Sequence, residues 1–147
     1  MEYDYVEALK LKNQLCFPLY AAARGVVGLY TPWLKPLGIT YTQYLVFLVL
    51  WENGDSPVGE IGEKLMLDNG TLSPLLKKME NSGYVEKHRS KEDDRVVLVS
   101  LTEKGKALRE KAKDVPRNVA GCLRLSPEKA QALYSLLYEL LENGKNQ

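Results

Sequence analysis

The feature that restricts this chain most is a change of rhythm after Gly83. Before it, "LSPLLKKMENSG" places Leu72, Leu75, Leu76 and Met79 at spacings of three and four, which gathers them on one helical face. Ser73, Lys77, Asn81 and part of Lys78 look outward, and Gly83 is expected to close the helix in a left-handed cap. After it, "YVEKHRS" and "VVLVSLT" are rich in β-branched residues and flank a charged tip, Lys91 to Arg95. That is the pattern of a β-hairpin with a solvated turn. Upstream, "SPVGEIGEKLML" reads as a further helix with Ser56 as cap and Pro57 in its first turn, followed by the polar interval Asp68 to Thr71.

Helix, polar turn, helix and charged ribbon together make a winged helix-turn-helix, so the fold class expected is mainly α with a small β-wing. The remaining segments are helical. "ITYTQYLVFLVLWENG" is apolar nearly all round and so should be the buried central helix, with Thr40 or Thr42 as N-cap and Gly54 as stop. Pro32, Pro36 and Gly38 interrupt the helical pattern ahead of it. "SLTE" at Ser100 to Glu103 has the capping-box form and should start a helix running to Lys113, which Pro116 closes. Ser126-Pro127-Glu128 opens a last helix whose Leu133, Leu136, Leu137, Leu140 and Leu141 need a partner to cover them. The expected organisation is one domain over 1–147, with 39–113 the winged lobe and 1–38 and 115–147 dimerisation helices.

Such a lobe reads DNA by laying its second helix in the major groove while the wing reaches sugar, phosphate or a narrow minor groove. Thr71 and Ser73 can then touch phosphate or base edges, Lys77 and Lys78 neutralise phosphate, and Arg89 and Arg95 stand at the stem and tip of the wing. Charge alone does not argue this, since Lys77 to Arg95 carries six Lys or Arg against five Asp or Glu, and the whole chain is only +1. A weakly charged reader gains affinity by dimerising, and a two-fold dimer matches a pseudo-palindromic operator.

The chain has two cysteines, far apart, which are either buried and inert or redox-active. Cys16 stands in "QLCFPLYAAAR". Pro18 is costly inside a helix and nearly free in its first turn, so either a helix begins just before Pro18 or a longer one bends there. Both geometries leave open backbone N–H groups near Cys16, where a thiolate is favoured. Tyr20 lies one turn on, and Tyr30 returns near the same face. The plainer reading is a small buried hydrophobe among Leu, Phe and Ala.

"LCFPLYAAAR", "LGITYTQYLVFLVLWE" and "LDNGTLSPLLKKMENSGYVEKHRSKEDDRVVLVSLTEKG" resemble the MarR family of bacterial transcription regulators, and within it the organic-hydroperoxide-sensing OhrR branch. The resemblance spans roughly Leu9 to Pro116. It implies a cytoplasmic homodimeric repressor that leaves its operator when a cysteine is oxidised. Cys16 would be the sensor, with Tyr30 and Tyr41 reaching it from the partner chain and Tyr20 lining the same pocket. Thr71 and Ser73 would stand at the recognition-helix entrance, Arg95 at the wing tip, and Asp93 would brace the wing. Cys122 would either resolve the oxidised sensor as a disulfide or pack inertly while a low-molecular-weight thiol caps Cys16. Asn69 departs from the family's usual serine, and "ARGVVG" is richer in glycine than the family pattern.

Two alternatives remain: release by a small phenolic ligand, and a thiol peroxidase-like enzyme. The absence of a CxxC motif argues against the enzyme. One histidine and two distant cysteines make no metal site, and no cofactor is expected. The N-terminus is acidic where a secretion signal is basic and then apolar, and no apolar run reaches spanning length, so neither export nor a membrane partner is expected.

Overall fold

The computed structural model describes residues 4–145; the outermost residues of the two expected dimerisation segments lie outside that range. The chain divides into two compact units, Met1–Val115 and Pro116–Gln147. In the first, a short helix α1 (Tyr5–Ala8), capped by Asp4, and a 3-10 turn (Leu11–Asn13) precede the long helix α2 (Cys16–Leu34). Pro32 does not end α2, because it removes only the bond to the Gly28 carbonyl; the break comes at Lys35–Leu37 and Gly38.

Helix α3 (Tyr41–Asn53) is the central one, as its composition required. Thr40 caps it, and Thr40 and Gln43 form a reciprocal capping box. Gly54 stops it at φ 72°. Phe47 is fully buried, stacked on Trp51 with ring centres 5.1 Å apart and edge-on to Tyr84 at 5.3 Å. Burying one such ring contributes about 2–3 kcal/mol. Leu34, Leu50, Ile61, Leu72 and Met79, contributed by four helices, are fully buried as well.

Ser56–Pro57 does not cap the next helix. It forms a two-residue strand β1 paired with residues 98 and 99, with the Ser56 hydroxyl donating to the Gly54 carbonyl at 2.9 Å. Helix α4 (Val58–Leu65) follows and ends at Met66, whose φ is 55°. Gly62 allows the turn after it, because a Cβ there would lie 2.9 Å from the Leu67 carbonyl oxygen. Helix α5 (Asn69–Asn81) starts earlier than periodicity indicated: the Asp68 carboxylate accepts the Thr71 N–H at 2.8 Å and draws the polar interval into the first turn. Gly83 then turns the chain at φ 76°.

Strands β2 (Val85–Arg89) and β3 (Val97–Leu101) form the antiparallel hairpin, with Val85 opposite Leu101 and Arg89 opposite Val97; the sheet order is β1-β3-β2. Helix α6 (Glu103–Ala112) is capped by Thr102 rather than Ser100, and the Ser100 hydroxyl is buried without a partner. The Trp51 indole donates to the Gly105 carbonyl at 3.1 Å and ties α3 to α6.

Pro116 does not close a helix. It is the second residue of α7 (Val115–Leu123), which sequence periodicity did not reveal and which carries Cys122. Helix α8 (Pro127–Lys145) begins at the expected cap, with Lys129 N–H donating to the Ser126 hydroxyl at 3.3 Å. None of its residues is buried. No helix among the described residues is long and apolar enough to cross a membrane.

Candidate functional site

Helix α5 is anchored by Leu72, Leu76 and Met79 and offers the rest of its circumference to solvent. Thr71, Ser73, Lys77 and Lys78 are all exposed on it. They do not form one patch. Two residues apart on a helix means about 160° apart around it, so Thr71 and Ser73 lie on opposite flanks. Thr71 and Lys78 share one stripe; Ser73 and Lys77 share another. Lys77 is within 3.4 Å of Glu80, a loose exposed pair, while no carboxylate approaches Lys78 among the described residues.

The wing tip is built by its own side chains. The Asp93 carboxylate accepts the Arg95 backbone N–H at 3.0 Å and grips the Arg95 guanidinium at 3.1 and 3.2 Å. Those hydrogen bonds hold the Asp93 carboxyl below the usual carboxylate range. Arg89 donates to the Asp94 carbonyl at 2.6 Å, so both wing arginines are oriented by the turn between the strands.

Cys16 occupies the first position of α2, and no side chain caps that end. Of the two geometries compatible with Pro18, the helix start is the one observed. Both Cys16 and Cys122 are exposed in the single chain. Leu15 and Phe17 beside it are exposed as well. Tyr20 is 60% exposed, with the Arg24 guanidinium 5.4 Å over its ring.

Tyr30 and Tyr41 are brought together, ring centres 4.7 Å apart. Tyr44, which sequence reasoning missed, joins them at 5.7 Å from Tyr30. Burial pushes all three hydroxyls above the ordinary tyrosine range, because it disfavours phenolate; for Tyr41 and Tyr44 the neighbouring phenols add to this. Tyr30 and Tyr41 also line a cavity of about 400 Å³ with Val27, Thr31, Lys35 and Ile39. Within one chain this cluster does not meet the thiol, since fourteen residues of helix separate Cys16 from Tyr30 by about 21 Å. No group of three or more His, Cys, Asp or Glu side chains fit to hold a metal occurs among the described residues.

These elements define a winged helix-turn-helix protein with an open thiol at the head of a long helix. The model of the family "Transcriptional regulator SarA/Rot" matches residues 28–112. The organic hydroperoxide resistance transcriptional regulator of Bacillus subtilis is 51% identical over 134 residues, 91% of each chain. Among solved structures, AbfR of Staphylococcus epidermidis is similar in several states. Reduced AbfR bound to DNA matches with TM-score 0.76 at 35% identity, and overoxidised AbfR bound to DNA with TM-score 0.75 at 35%, each over 95% of this chain and 98% of that one. Disulfide-formed AbfR matches with TM-score 0.64 at 36% identity, over 93% and 96%. The chain belongs to the MarR family of transcriptional regulators, in its organic-hydroperoxide-sensing branch.

Proposed function

We propose that the protein is a peroxide-responsive repressor: a homodimer that holds a pseudo-palindromic operator while Cys16 is reduced and releases it after organic hydroperoxide oxidises that sulfur. The observation that carries this is the uncapped start of α2, with Cys16 exposed at its first position, in a chain that also bears a wing and a reading helix. The thiolate attacks the distal peroxide oxygen, the O–O bond breaks, an alcohol leaves after protonation, and the sulfur becomes sulfenic acid. A second thiol then displaces water to form a disulfide, supplied by Cys122 of the other subunit or by a low-molecular-weight thiol. The sulfur acts once per event as a sensor, not as a turnover enzyme.

In the dimer, Tyr30 and Tyr41 of one subunit reach Cys16 of the other, as the resemblance to the family implies, and the roughly 21 Å of helix between Cys16 and Tyr30 within one chain is consistent with that. Their hydroxyls stay neutral and so remain donors to a sulfur anion. AbfR is bound to DNA both reduced and overoxidised, and sulfinic and sulfonic acids are anions as a thiolate is. By that pattern, release follows from coupling a second sulfur, which removes the anion and adds bulk. The N-terminal segment 1–38 and the C-terminal segment 115–147 make the dimer; 39–113 reads DNA through Thr71, Ser73, Lys77, Lys78, Arg89 and Arg95, with Asp93 as the brace of the wing.

The test is fluorescence anisotropy on an operator duplex with cumene hydroperoxide. Wild-type protein is expected to release, and Cys16→Ser to bind with wild-type affinity and ignore the oxidant. Peroxide release of Cys16→Ser would refute the assignment. A second reading is favoured by the 400 Å³ cavity beside Tyr30 and Tyr41, which fits a small phenol. It predicts release by ligand with reductant present.

A further inference from the structure

On the flank of α5 away from Ser73 lies a groove of about 270 Å³ that the proposed function leaves unused. Its walls are the start of α3, with Thr40, Thr42 and Gln43, and one stripe of α5, with Thr71, Leu75 and Lys78; Pro74 completes the lining and none of these residues is acidic. Gln43 is only 8% exposed. Its Oε1 accepts the Thr40 backbone N–H at 3.0 Å, which turns its NH2 away from the cap. That NH2 meets no acceptor among the described residues, and it is not sealed from solvent, since the sealed orphan atom among them is the Ser100 hydroxyl. The Thr42 hydroxyl stands 3.4 Å from that of Thr40, at the same mouth.

A largely buried amide whose NH2 reaches solvent without a protein acceptor, adjacent hydroxyls, an unpaired ammonium and no acid make a set of groups for one tetrahedral anion. We propose that the groove seats a backbone phosphate of the bound duplex, with Gln43 and Thr42 donating to its oxygens and Lys78 neutralising it. This rests on the reading that α5 enters the major groove, and deepens it. A helix lying there turns its flanks toward the two strands, and the Thr71–Lys78 stripe carries the groove on one flank. Phosphate contacts fix register without choosing bases, so Gln43 and Thr42 are positioning residues. The reciprocal capping box acquires a second purpose, because the bond that starts α3 also aims the amide.

Gln43→Glu is the discriminating variant. Glutamate keeps the capping-box acceptor but replaces the donor with an anion facing the phosphate. Melting should change little, and affinity for operator and for unrelated duplex should fall by the same factor, about tenfold or more, as expected from losing a hydrogen bond to a charged group. Thr42→Val, at an exposed position, should lose about threefold on both duplexes and serves if Gln43→Glu folds poorly. In a scan of operators carrying single neutral methylphosphonate linkages, one linkage per half-site should weaken wild-type protein and spare Gln43→Glu. Wild-type affinity in both variants, or a scan with no linkage that separates the proteins, would overturn the proposal; a groove that takes only free phosphate would give that second result. Wild-type protein that binds no operator would instead overturn the reading beneath it.

Discussion

Gly105 sits where any side chain would meet the backbone just before the wing's first strand. A Cβ there would lie 2.3 Å from the Tyr84 carbonyl oxygen and 3.0 Å from Leu101. The Tyr84 carbonyl cannot retreat freely, because it accepts the Thr102 N–H at 3.1 Å, and the Gly105 carbonyl holds the Trp51 indole. Gly105→Ala is therefore expected to destabilise the fold by about 3 kcal/mol through overpacking, read as a lower urea midpoint at unchanged slope. A midpoint equal to wild type would show that α6 slides away from the sheet at no cost. The same residue illustrates a limit of sequence reading. "LTEKG" announces a capped helix, but the need for glycine comes from a carbonyl twenty-one residues earlier, which no local pattern shows.

At the scale of elements, the local signals that located boundaries were those whose physics is local. Gly54, Gly83 and Ser126-Pro127 each act within one turn of their own helix and stand where spacing put them, and of the two cap candidates Thr40 and Thr42 it is Thr40 that starts α3. Ser56–Pro57 was misread because its partner is β3, more than forty residues on; a proline after a serine looks like a cap until the sheet claims it. The beginning of α5 was misplaced because the polar interval Asp68 to Thr71 reads as a turn, whereas the Asp68 cap draws Asn69 to Thr71 into the helix. Asp68→Ala should cost about 1 kcal/mol of stability. It should also fray the turn that bears Thr71 and weaken operator binding. Asp68→Asn, which keeps the acceptor while removing the same charge, should restore both melting temperature and anisotropy. If Asn fails where Ala fails, charge rather than capping is what Asp68 supplies. Of the candidate site, the reading helix and the wing were legible as types of surface. The opposite flanks of Thr71 and Ser73, and the role of Tyr44, required coordinates.

Among the described residues, exposed apolar side chains gather toward both ends of the chain. Leu136 and Leu140 on α8 are 63% and 54% exposed, and Leu9 and Leu15 near the front are exposed as well. Isolated exposed leucines are ordinary, but a run along one long helix calls for a second surface. The sequence marked α8 as needing cover; the distance of Tyr30 from the thiol follows from α2 running unbroken from Cys16 past Tyr30.

In the proposed dimer, that span would make peroxide perception a shared property of two copies. Take one stock carrying Cys16→Ser and another carrying Tyr30→Phe with Tyr41→Phe; each alone assembles only crippled sensors. Exchange their subunits and half of every hybrid pair regains an intact thiol facing intact phenols. Such mixtures should recover rapid oxidation that neither parent displays, read by mass spectrometry of the Cys16 peptide. Reactivity that fails to exceed the parents would mean each polypeptide perceives the oxidant by itself.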